Sequence, residues 1–109
     1  MSTVFGLIIE GKLPCTKVFE NERILAIEDI HPVAPVHVLI IPKKAIKNVQ
    51  SVEDYALMGE IVAVAQKIAE EKGVEEGYRL LTNNGPDAGQ VIFHLHFHLI
   101  GGKVLGPMA

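Results

Sequence analysis

His94, His96 and His98 alternate with Leu95, Phe97 and Leu99 inside the run Val91 to Ile100, so reactive side chains recur at every second position of an apolar segment. In an extended strand, successive side chains point to opposite faces. That rule places Ile92, His94, His96, His98 and Ile100 on one side and Phe93, Leu95, Phe97 and Leu99 on the other. The aromatic and leucine face reads as core packing, while the opposite face presents three imidazoles in a row. Three readings fit such a row. A metal site is one, because neutral imidazole ligates transition metals; three rings on one strand span roughly 13 Å, too far for a single ion, but two neighbours with His37 would suffice. Nucleophilic catalysis at phosphorus is the second: a neutral imidazole attacks while its neighbours hold phosphate oxygens and manage protons, which makes the central His96 the natural nucleophile. The third is a sheet face of hydrogen-bonded histidines without chemistry.

The surrounding segments must hold that row in place. Gly101-Gly102 closes the run, and the loop Asn84-Gly-Pro-Asp-Ala-Gly89 before it is dense in turn formers and suited to presenting backbone N–H groups to an anion. Tyr78 to Asn83 predicts a strand, as does His37 to Ile41, which Pro42 ends; alone, His37 reads as structural. Lys17 to Glu20 and Ile24 to Glu28, separated by Asn21-Glu22-Arg23, predict a hairpin. Asp29 to Pro35, with Pro32 and Pro35, predicts an ordered loop. Val4 to Ile9 suits a short helix, and residues 51–73 a long one. Ser51 is the expected N-cap, Gly73 the C′ residue, and Met58, Ile61, Val62, Ala65, Ile68 and Ala69 the expected apolar stripe. Glu53, Glu60, Lys67 and Glu71 fall on the solvated side. This order of elements predicts an α+β fold with a mostly antiparallel sheet.

The 109 residues predict a single domain, residues 1–109, with one core. A net charge of -3 argues against nucleic acid as a partner. The one basic cluster, Lys43, Lys44 and Lys47, reads as a solvated loop. Cys15 is the only cysteine, which rules out an intrachain disulfide and suits the reducing cytoplasm. No apolar run approaches the roughly 18 residues that span a bilayer, so no membrane association is expected.

His94-Leu-His96-Phe-His98-Leu-Ile resembles the signature of the histidine triad superfamily at all seven positions. The likeness extends along the chain through Thr3-Val-Phe-Gly6, Asp29-Ile30, Ala34-Pro-Val-His37, Ile41-Pro-Lys-Lys44, Gly77-Tyr-Arg79 and Gly89-Gln90, and is strongest to the histidine triad nucleotide-binding branch. The resemblance implies five antiparallel strands with one long and one short helix, and a homodimer with a joint ten-stranded sheet. It also implies hydrolysis of purine nucleoside phosphoramidates or related nucleotidyl conjugates through a nucleotidyl-histidine, without a cofactor. A dinucleoside polyphosphate hydrolase, or a nucleotide-binding regulatory protein with weak turnover, is the alternative. By the same resemblance His96 is the nucleophile, His98 contacts phosphate, His94 is the first triad histidine, and His37 supports them. Asn83, Gly89, Gln90 and the backbone of Val91 fall near the phosphate and Asp29 at the ribose. Phe5, Ile8, Leu13, Ile27 and Ile30 line the base pocket, or equally belong to the core.

Histidine at position 98, where related transferases carry glutamine, favours transfer to water. Val91 stands where these proteins often have a serine whose hydroxyl helps protonate the leaving amine. Many bacterial relatives hold a structural zinc between two cysteines, a histidine and the first triad histidine; here those places carry Thr3, Gly6 and Ala45, so no zinc is expected. The tail Leu105-Gly-Pro-Met-Ala109 lacks the tryptophan found near the end of some relatives.

Overall fold

A computed structural model describes residues 3–108. Its centre is β3 (Val36–Pro42), flanked on one side by β2 (Ile24–Glu28) and β1 (Lys17–Glu20) and on the other by β5 (Phe97–Gly101) and β4 (Tyr78–Leu81). The order is β1-β2-β3-β5-β4, and every neighbouring pair is antiparallel. The first hairpin turns on Asn21, whose Oδ1 accepts from the N–H groups of Arg23 at 2.9 Å and Ile24 at 2.8 Å. That local competition with the ladder is what asparagine does well in turns.

Both faces of the central strands are covered, which explains why β2 and β3 read as continuous apolar runs with poor alternation. Ile24, Ala26, Val38 and Ile40 face the long helix α2 (Tyr55–Glu71) together with Leu95 and Leu99. Leu25, Ile27, Leu39 and Ile41 face the short helix α1 (Val4–Ile9) and pack with Phe5. The α+β architecture and the five antiparallel strands agree with the sequence reading. β4 stops at Leu81, short of the expected Asn83.

Two details of α2 differ. Its N-cap is Asp54, which accepts from Leu57 N–H at 3.3 Å, whereas Ser51 ends a 3₁₀ turn (Val49–Ser51) that Asn48 caps. The buried stripe is Leu57, Ile61, Val64, Ala65, Ile68 and Ala69, with Val62 exposed. Adjacent stripes on a helix share most of their members, so spacing alone does not choose between them.

The most consequential difference concerns the histidine run. Only Phe97 to Gly101 joins the ladder; Val91 to His96 is irregular. Leu95 and Leu99 are fully buried as expected, but Phe93 lies 43% exposed. At the other end Gly102 adopts φ +92°, and a Cβ there would stand 3.0 Å from the Pro35 Cβ, so the turn requires glycine. Among the described residues, no helix is long and apolar enough to cross a membrane.

Candidate active site

Because the chain leaves the ladder before Phe97, the carbonyls of His94 and His96 are available to side chains. His96 Nδ1 lies 2.8 Å from the His94 carbonyl oxygen. A carbonyl only accepts, so Nδ1 carries the proton and Nε2 keeps its lone pair. Thr82 donates its hydroxyl to the His96 carbonyl at 2.6 Å, and His94 Nε2 donates to the Pro42 carbonyl at 2.7 Å. The nucleophile candidate is thereby tied to the ends of β3 and β4.

His98 is fixed from β3. The Val33 N–H donates to His37 Nδ1 at 3.2 Å, which leaves the His37 proton on Nε2. That N–H is shared between His98 Nδ1 at 2.9 Å and Asp29 Oδ2 at 3.3 Å. With Nδ1 accepting, His98 carries its own proton on Nε2. Asp29 is oriented in turn by the His31 N–H, which donates to Oδ1 at 2.8 Å. The rings of His96 and His98 stand 5.2 Å apart, and Phe5 meets His96 edge-on at 4.8 Å.

Burial favours the uncharged imidazole at both positions. Desolvation is the main cause that lowers His96, and it outweighs the opposing hydrogen bond to the His94 carbonyl. Desolvation, then repulsion from His96 and His37, takes His98 down to about 4. Neutral rings at physiological pH are what nucleophilic attack and hydrogen-bond donation need.

His96 and His98 open onto a cavity of about 290 Å³. Of the residues expected at a nucleotide, Phe5, Ile8, Ile27, Asp29, Ile30 and Val91 line it. Leu13, Asn83, Gly89 and Gln90 do not; nor do His37 and His94, which stand behind it. Gln90 is buried and fully committed to backbone: Oε1 accepts from Gly85 N–H at 2.8 Å, and Nε2 donates to the carbonyls of Lys47 at 2.9 Å and Ile92 at 3.0 Å. Sequence reasoning missed Val4, Glu28, His31, Leu39 and Ile92 on the cavity wall, and the backbone of Val33 and Pro42 behind it. His31 had a signal, being the fifth histidine and two residues from Asp29. The backbone groups had none, since residue type does not encode them.

The places of the relatives' structural zinc ligands do not fit a metal. Gly6 and Ala45 have no donor, and the Thr3 hydroxyl caps α1 by accepting from Gly6 N–H at 3.0 Å. Asp29, His37 and His98 bring donor atoms within 4.8 Å of one another. The Val33 N–H, however, holds the His37 proton on Nε2, the nitrogen that would face an ion. This arrangement favours a hydrogen-bond relay over ligation.

Comparison with known proteins places the chain in a family. The HIT domain model matches residues 10–105. A HIT-like protein of Chlamydia pneumoniae is 50% identical over 109 residues, covering 98% of this chain and 99% of that one. Among solved structures, a HIT family hydrolase from Clostridium thermocellum is 50% identical with a TM-score of 0.94, covering 98% of this chain and 96% of that one. A histidine triad nucleotide-binding protein from Candida albicans is 32% identical with a TM-score of 0.84, covering 99% and 86%. With a family model spanning most of its length and relatives at this identity, the chain belongs to the HIT family.

Proposed function

We propose that this protein hydrolyses purine nucleoside phosphoramidates or related nucleotidyl conjugates through a nucleotidyl-histidine at His96. The observation that carries the reading is the His96 ring itself: Nδ1 is held by the His94 carbonyl, and the ring borders a cavity with its other nitrogen unprotonated. His98 offers an Nε2–H to a phosphate oxygen. Val91 N–H, which donates to no protein group among the described residues, offers a second. Asp29 accepts from the ribose hydroxyls, and the aliphatic wall grips the base by contact area, giving purine preference with loose base discrimination. The names of the Clostridium hydrolase and the Candida nucleotide-binding protein support the reaction class and the ligand class.

Mixing the protein with an adenosine phosphoramidate and following AMP release tests the reading. His96→Ala should lose at least about 10⁴-fold in turnover, by analogy with removal of other covalent nucleophiles. Undiminished turnover in that variant excludes His96 as the nucleophile. Loss of turnover with a chelator, restored by zinc, would point to metal chemistry instead.

A homodimer belongs to the same reading. β4 is an edge strand whose residues Tyr78, Arg79, Leu80 and Leu81 are only half-buried, and a second copy paired there would complete a ten-stranded sheet. Sedimentation should give twice the chain mass of 11.9 kDa; a single-chain mass would exclude it.

A further inference from the structure

Glu28, Asp29, His31, His96 and His98 are the residues of the cavity wall whose side chains can hydrogen-bond; the rest of the wall is apolar. Asp29, His96 and His98 are held in the relay. Glu28 falls on the face of β2 that Ile24 and Ala26 turn to α2, and its carboxylate meets Lys72, the C-cap of that helix, at 3.7 Å. His31 is different. It stands exposed at the cavity mouth, with its backbone N–H pinned on Asp29 Oδ1 at 2.8 Å. Among the described residues its imidazole makes no hydrogen bond or ion pair. One polar side chain on an otherwise aliphatic wall is therefore free for a ligand.

We propose that His31 selects purines by donating a ring N–H to N7 of the base. The inference rests on the hydrolase reading above, in which Asp29 holds the sugar. The five-membered ring of a purine bears that sugar, and N7 is the acceptor on its edge, so the residue pinned to Asp29 is the one beside it. An imidazole carries at least one N–H in either protonation state, and the donor is always present. Ile8, Ile27 and Leu39 can cover the faces of a base, but they leave a dehydrated N7 without a partner, which costs binding energy. His31 removes that cost. Adenine and guanine share N7 and pyrimidines lack it, so the contact separates the two base classes while treating both purines alike.

Adenosine 5′-phosphoramidate and its 7-deaza analogue, in which C–H replaces N7, differ by that one acceptor. The wild-type chain should cleave the 7-deaza conjugate with kcat/KM about 5-fold lower, the scale of one neutral hydrogen bond, with the loss in KM and not in kcat. His31→Ala should suffer the same loss on the parent conjugate and no further loss on the analogue. His31→Phe keeps the ring area without the donor and should behave like His31→Ala. A wild-type chain indifferent to N7, an undiminished 7-deaza penalty in His31→Ala, or a His31→Phe variant that matches the wild type would overturn the contact. Nucleotide release from neither conjugate by the wild type would overturn the hydrolase reading. Calorimetry with AMP and 7-deaza-AMP then decides His31 separately: about 5-fold tighter binding of AMP, abolished in His31→Ala, upholds the contact. Equal binding of the two nucleotides, or binding of neither, overturns it.

Discussion

Val33 donates one backbone proton that fixes the protonation of two rings, and two backbone carbonyls fix that of two more. His37 is set by Val33, His98 by His37, His96 by the His94 carbonyl and His94 by the Pro42 carbonyl. Nitrogen NMR of the neutral protein should therefore show Nε2–H tautomers at His37, His98 and His94 and an Nδ1–H tautomer at His96. An Nε2–H signal at His96 would mean that its attacking nitrogen is blocked. The rate should follow the same ring. Because burial lowers His96 from its ordinary value, the neutral nucleophile persists below pH 6.5. The acid limb of kcat/KM against pH should accordingly fall below that value; a limb above it would contradict a desolvated nucleophile. Alternation and residue type made the histidine row legible in the sequence. The tautomers were not legible, because they are written by backbone carbonyls and amides that every residue carries.

At the scale of elements, the loop between β4 and β5 is organised by a side chain that touches no ligand space. Gln90 closes the 3₁₀ turn Pro86–Ala88 onto the segment after β3 by satisfying one amide and two carbonyls. Gln90→Ala leaves those backbone groups without partners, at about 1–3 kcal/mol for each that stays buried and unsatisfied. The expected outcome is a urea midpoint lowered by roughly 2 kcal/mol of stability and faster amide exchange at Gly85; an unchanged midpoint would show that water replaces the amide freely. Gly85 and Gly89 were readable as turn glycines, and both have positive φ, +87° and +96°. The role of Gln90 was not readable, since a buried amide and a ligand-binding amide look identical in a sequence. The same limit explains the histidine strand. Periodicity announced an extended run from Val91, but it cannot show which residues find a neighbouring strand. The ladder begins only where Phe97 meets Ile40.

For the whole molecule, covering both faces of the sheet sets the half-buried His98 against Leu39 of β3, and this links stability to pH. His98 titrates at about 4 in the folded protein and near 6.5 when unfolded, so between these values the unfolded chain binds more protons. Stability should be complete above pH 6.5 and fall on acidification toward 4. Thermal midpoints measured across that window check the sign, and His98→Gln should flatten the slope. A midpoint that rises on acidification would mean that the folded site welcomes the charged ring. The break before Phe97 has a further consequence, for anyone wishing to transplant this chemistry. A designer who grafted His94 to Ile100 onto a regular hairpin would inherit three imidazoles, but the His94 carbonyl would be consumed by the new ladder and the central ring would spin free. A portable version of the heptapeptide must include its interruption, together with the Pro42 carbonyl and the Thr82 hydroxyl that keep the interrupted chain in place.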